Sequence, residues 1–169
     1  DAKNCGAEAV KFQTYKASDL AIKDSPAYWD LNKEKTTTQR SLFEKYDKFD
    51  EKEFKRLYLD CRKKKITFMS TLFSVKLVNK FSKLLPLLKI ASADITNVPL
   101  LRAISKQKKP ILLSTGASSI DEVKFALKIL DLPKKQICIM HCVLNYPTKN
   151  ENAHLNFIST LKKRFPKYI

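Results

Sequence analysis

The chain has no uninterrupted apolar run of about 20 residues, so it offers no segment from which a bilayer-spanning helix could be built. It has only two glycines and neither GxGxxG nor GxxxxGK[ST], so no motif points to nucleotide binding. Its four cysteines, Cys5, Cys61, Cys138 and Cys142, include no CxxC pair and no zinc spacing. They read as small buried hydrophobes of a reduced, cytoplasmic protein. The opening DAKNCGAEAV carries no signal-peptide pattern and reads as the middle of a helix, while FPKYI reads as the approach to another strand. The expectation is a segment of a longer protein. What is present is 169 residues with 44% hydrophobic content, enough for one domain with a core.

The formal charge of +16, from 33 basic and 17 acidic residues, invites a nucleic-acid reading. Its placement argues otherwise. The clusters Arg62–Lys65, Lys106–Lys109, Lys134–Lys135 and Lys162–Arg164 each fall at a predicted helix end, just before a strand. Cations there complement the negative end of the helix dipole and keep that face solvated. No nucleic-acid-binding motif accompanies them.

Alternation predicts a first strand over Ala9–Thr14, with Val10 and Phe12 on one face and Lys11 and Gln13 on the other. Residues 15–49 form a long connection whose Tyr28, Trp29, Phe43 and Tyr46 are expected to pack down as a lid or flank. A helix over Asp50–Lys63 follows, with Phe54, Leu57, Tyr58 and Cys61 on one stripe and Asp50 and Glu53 as a capping pair. Next come a strand over Ile66–Thr71 and a helix over Val75–Leu84 with Val75, Val78 and Phe81 inward. The stretch LLKIASADITNVPLL organises the rest: a buried strand through Leu88 and Ile90, a polar turn Ser92-Ala93-Asp94, then a helix capped by Asn97 with Pro99 in its first turn. A strand over Pro110–Ser114 leads to a helix with a Ser119/Glu122 capping box and a stripe of Ile120, Val123, Leu127 and Leu130. A fifth strand over Gln136–Cys142, a helix carrying Leu155, Ile158 and Leu161, and the start of a sixth strand at Tyr168-Ile169 complete the pattern.

Strands separated by single helices predict an α/β fold with a parallel sheet and right-handed crossovers. Each strand runs out into polar residues: Gln13-Thr14, Ser70-Thr71, Ser92 and Asp94, Ser114-Thr115, Asn145-Tyr146. An open sheet gathers ligand groups near one switch point, whereas a closed barrel draws them from every strand. The expected architecture is therefore a single partial (β/α)8 TIM-barrel domain over residues 1–169, with about five parallel strands present. Two lysines, Lys11 and Lys89, with the hydroxyls of Thr71, Ser92 and Ser114, suit a small dianion carrying phosphate and carboxylate. Asp94, Gln13 and Tyr146 suit sugar hydroxyls.

KFQTYKASDL, SPAYWDLNKE, FMSTLF, KIASADITN, ILLSTGAS and MHCVLNYP, in this order and spacing, resemble the N-acetylneuraminate (sialic acid) synthase family over essentially the whole chain. That resemblance implies a (β/α)8 barrel followed by a small antifreeze-like domain, expected to be absent from residues 1–169, and a homodimer when full length. It implies condensation of phosphoenolpyruvate with an N-acetylated hexose, typically N-acetylmannosamine, to a nine-carbon sialic acid and phosphate. Residue by residue, it assigns Lys11, Thr71, Lys89, Ser92 and Ser114 to phosphoenolpyruvate and Gln13, Asp94 and Tyr146 to the sugar. Lys89 and Asp94 are the expected catalytic pair. A divalent metal, manganese or magnesium, is implied, with its histidine ligands beyond Ile169 and none within this chain. The family's first strand, with a glutamate and an Asn-His pair, would precede this chain. Many members carry a carboxylate one carbon longer where Asp94 stands, and some carry a phosphate-touching asparagine where Leu144 stands, beside Asn145. His141 is expected to be a hydrogen-bonded core or mouth residue, and His154 to sit exposed at a helix start.

Two other readings use the same residues. A Schiff-base aldolase of the same barrel class would employ Lys89 as nucleophile. A non-enzymatic basic binding module would use the surface charge alone. The condensing synthase is the reading that accounts for the polar strand ends, with no nucleic-acid or membrane partner.

Overall fold

The computed structural model describes residues 1–47 and 49–169. The described strands form one five-stranded sheet in chain order, and the chain divides into two compact units, Asp1–Phe68 and Met69–Ile169.

In the first unit, β1 (Ala9–Thr14) alternates as its sequence requires: Val10 and Phe12 are partly covered, Thr14 is buried, and Lys11 and Gln13 are exposed. The beginning of β2 (Thr67–Leu72) runs beside it, with the Thr67 N–H donating to the Glu8 carbonyl at 2.9 Å. The long connection holds α1 (Ala17–Leu20) and α2 (Gln39–Tyr46). Its aromatics pair locally instead of forming one lid: Tyr28 stands edge-on to Trp29 and Tyr15 to Phe43. Tyr28 and Tyr46 are 77% and 57% exposed, which corrects the expectation that they pack down. The Trp29 indole is fixed by donating to the carbonyls of Glu34 and Thr36. Helix α3 (Glu51–Lys63) starts at the expected capping box, Asp50 accepting from the Lys52 and Glu53 N–H groups and Glu53 accepting from that of Asp50. Its Phe54 and Tyr58 close on Phe68 at 5.1 and 5.9 Å between ring centroids.

In the second unit, β2, β3 (Leu88–Ile90), β4 (Ile111–Ser114) and β5 (Ile137–Met140) pair in parallel. Helices α4 (Val75–Phe81), α5 (Val98–Ser105), α6 (Ile120–Leu130) and α7 (Phe157–Arg164) alternate with them. Leu88, Ile90, Ile111, Leu113 and Ile137 line one face of the sheet and are essentially inaccessible, as are Val78, Leu101, Ile104 and Val123 from the helices. Thr71, Lys89, Leu112 and Cys138 form a row of register partners, and Ser114 and Met140 the next, on the other face. Ile169 donates to the Ile137 carbonyl and accepts from the Ile139 N–H, continuing the ladder beyond β5 as the sequence led one to expect. Among the described residues no helix is long and apolar enough to cross a membrane.

Several details differ from the sequence reading. Val75 is 37% exposed because it is the first residue after the Ser74 cap; Leu77, Val78 and Phe81 face inward instead. Leu161 is buried as expected, joined by Phe165, but Leu155 and Ile158 are 67% and 43% exposed. Leu155 lies outside the helix, because α7 starts only at Phe157, after a 3-10 turn at Asn150–Asn152 and a left-handed His154 at φ 45°. β5 is shorter than Gln136–Cys142, since residues 134–136 curl into another 3-10 turn. Among the cysteines only Cys61 is buried: Cys5 is exposed, Cys138 and Cys142 lie between, and all four are free.

Candidate active site

Lys89 sits at the centre of β3, flanked in sequence by Leu88 and Ile90, which anchor the strand in the core and turn the lysine to the opposite face. Its ammonium donates to Ser114 Oγ at 2.6 Å, a charge-assisted bond that fixes the head of a flexible side chain. Thr71, its register partner on β2, and Ser114 at the end of β4 are 2% and 3% exposed.

One hydroxyl of each strand-end pair serves the backbone. Ser70 Oγ donates to the Thr71 carbonyl at 3.2 Å and Thr115 Oγ1 to the Met140 carbonyl at 2.9 Å. Thr71 and Ser114, alternate along their strands, point instead to the lysine's face.

Just beyond β3, Ser92–Asp94 form a 3-10 turn. Ser92 Oγ accepts from the Gly116 N–H at 2.9 Å, tying the turn after β3 to the turn after β4. Gly116 permits this approach: a Cβ there would lie 3.0 Å from Ser92 Oγ and 3.1 Å from two Leu144 side-chain carbons. Leu144, and not Asn145, therefore stands over Gly116. Position alone could not show this, although Gly116, one of two glycines and placed directly after a strand, was a signal of close approach.

Asp94 is partly buried at the end of that turn. Its Oδ1 accepts from Asn97 Nδ2 at 3.3 Å, while its Oδ2, shielded from solvent, has no hydrogen-bond partner among the described residues. Burial raises the carboxyl's pKa, and the Asn97 bond partly opposes the rise. Asn97 has a second task that sequence did identify: its Oδ1 accepts from the Leu100 N–H and caps α5.

The other sequence candidates are Tyr146, Lys11 and Gln13. Tyr146 is 90% exposed and stands in solvent after β5. In the first unit Lys11 and Gln13 share the exposed face of β1. Although the Lys11 side chain is largely exposed, partial desolvation of its ammonium lowers its pKa. His141 is bonded through Nε2 to the Ala153 carbonyl at 2.7 Å and packs on Phe157, the structural role anticipated for it. His154 is exposed as expected, but in the turn preceding α7. Beside them a cleft of about 990 Å³ opens between Ala117, Leu144 and the loop after β5. No group of three or more His, Cys, Asp or Glu side chains among the described residues could hold a metal ion.

A parallel sheet with an anchored ammonium, buried hydroxyls and a desolvated carboxylate at the carboxyl ends of its strands has the layout of an α/β enzyme of the barrel class. The NeuB family model matches residues 1–169, and the chain belongs to that family. It is 39% identical over 167 residues to an uncharacterized protein of Methanocaldococcus jannaschii, covering 98% of this chain and 46% of that one. To the N,N'-diacetyllegionaminic acid synthase of Campylobacter jejuni it is 35% identical, covering 97% and 51%. The crystal structure of the N-acetylneuraminic acid synthetase of Leptospira borgpetersenii in complex with citrate superposes with a TM-score of 0.82 at 33% identity, over 96% of this chain and 53% of that one. The chain thus spans about half the length of the relatives it matches, and its five-stranded α/β sheet corresponds to part of their barrel.

Proposed function

We propose that this chain forms part of a synthase that condenses phosphoenolpyruvate with an N-acetylated hexose, N-acetylmannosamine or a related sugar, giving a nine-carbon sialic acid and phosphate. The observation that carries the reading is the Lys89 ammonium pinned 2.6 Å from Ser114 Oγ beside Thr71 on one sheet face. A cation held in place by the protein stabilises a dianion without reorganising during the reaction. Lys89 and Lys11 neutralise the phosphate and carboxylate, with Thr71, Ser92 and Ser114 as hydroxyl partners. Asp94, Gln13 and Tyr146 receive the sugar. Carbon 3 of phosphoenolpyruvate adds to the aldehyde, water adds at carbon 2, and phosphate leaves by C–O cleavage.

The divalent ion of this proposal, manganese or magnesium, would polarise the aldehyde. Its ligands are proposed to lie beyond residues 1–169, and no role assigned to these side chains depends on it. The working protein is proposed to be a cytoplasmic homodimer, and residues 1–169, proposed as one domain of it, to be inactive alone.

The test uses the full-length protein with phosphoenolpyruvate and either N-acetylmannosamine or a diacetamido-hexose in ¹⁸O-water. The expected result is a nine-carbon acid labelled at carbon 2, with unlabelled phosphate. Labelled phosphate, or no condensation with either sugar, overturns the reading. Borohydride with pyruvate should not label Lys89; labelling would establish the aldolase instead.

Gly116→Ala should raise the KM for phosphoenolpyruvate about tenfold, because the new methyl group displaces Ser92 Oγ or Leu144 from close contact. Steady-state kinetics on the full-length variant check this; an unchanged KM would remove the Ser92 turn from the anion site.

A further inference from the structure

Two basic clusters that sequence treats as separate helix ends meet in space. Lys124 and Lys128 on α6, Lys134 after it, and Arg164 and Lys167 at the end of α7 surround one groove of about 450 Å³. Its floor is apolar, made by Leu127, Phe165 and Tyr168, with Leu127 and Phe165 each 7% exposed. Beside these five cations, Asp121 pairs with Lys124 at 2.9 Å and also feels Arg164. Lys134 lies over the Tyr168 ring at 5.8 Å. The groove is formed by the outer faces of α6 and α7, away from Lys89 and Ser114.

Cations crowded around a concave surface repel one another until an anion enters, and the concavity focuses their field. Exposed lysines scattered over a convex face would have only a solvating role. The volume lies in the range of small-ligand sites, which join an apolar floor to a few charged groups at the rim. We propose that this groove binds a nucleoside di- or triphosphate. The Lys and Arg side chains grip the phosphates, and the apolar floor receives the base and sugar. The absence of a glycine-rich phosphate loop is consistent with this mode, since side-chain cations replace backbone N–H groups as donors. The site is independent of the condensation proposed above.

Calorimetric titration of the full-length protein with ATP, tripolyphosphate and adenosine provides the test. ATP should bind more tightly than tripolyphosphate, adenosine should not bind detectably, and ATP affinity should fall as salt is raised. The double variant Lys128→Glu/Arg164→Glu should weaken ATP binding at least about tenfold, as expected when charge-assisted contacts are reversed. The charge-matched control Lys76→Glu/Lys80→Glu, on α4 and outside the groove lining, should leave it unchanged. Equal binding of tripolyphosphate and ATP overturns the nucleotide assignment. Absence of ATP binding, or equal weakening by both double variants, overturns the groove as the site. Condensing activity with saturating substrates should survive the double variant, since neither residue belongs to the proposed catalytic machinery.

Discussion

Replacing Lys89 by methionine in the full-length protein is expected to lower kcat/KM for phosphoenolpyruvate about a thousandfold, equivalent to roughly 4 kcal/mol. The length of the side chain is kept while the charge is removed. The substrate dianion and the buried Ser114 hydroxyl then both lose the donor that Lys89 supplies at 2.6 Å. Lys89→Arg should recover little of the loss. A planar guanidinium cannot take the place of a compact ammonium in the row between Thr71 and Leu112. The KM for the sugar should change little. Initial rates of phosphate release at varied phosphoenolpyruvate decide the matter, and a loss below about tenfold would take Lys89 out of the dianion site.

Asp94→Asn should have two effects of opposite sign. The kcat/KM for the sugar should drop about a hundredfold, because a charge-assisted acceptor for a sugar hydroxyl is lost. Stability at neutral pH should rise by about 1 kcal/mol, because a buried carboxylate oxygen without a partner gives way to an uncharged amide. Folding raises this acid's pKa, so the native state favours the protonated form. The stability contributed by that preference is complete below the ordinary aspartate range and disappears as the pH rises through the raised value. In the wild type, the acid limb of kcat/KM for the sugar should therefore lie above the ordinary aspartate range, and it should vanish in the variant. Denaturant melts across pH and a pH–rate profile test both effects. An acid limb retained by the variant would assign it to another group.

Local rules carried the sequence reading where they were sufficient. Asp50 with Glu53, Ser119 with Glu122, and Asn97 ahead of Pro99 each state a helix start in neighbouring residues, and all three caps form. Alternation likewise separated Lys11 and Gln13 from Val10 and Phe12 on β1. Where a helix began was less legible: Leu155 lies in the right phase for the stripe of α7 but precedes the first turn, and Val75 occupies a first turn whose side chain escapes the core. Contacts between distant segments left no local trace. Nothing in the order of residues says that Leu144 covers Gly116, or that Lys134 and Arg164 border a common groove. The family motifs indicated which residues to watch, but only the three-dimensional arrangement showed that Asn97 restrains Asp94 while leaving its second oxygen unbonded.

The close packing of Leu144 on Gly116 makes residue 144 a place where the turn after β4 can be reshaped without altering a strand. A shorter or polar side chain there would loosen the cover over Gly116 while the ladder of β3 and β4 stays intact. Loops accept substitution more readily than sheet cores. Divergence among paralogues of this chain should therefore accumulate at residue 144 before it reaches Lys89 or Ser114.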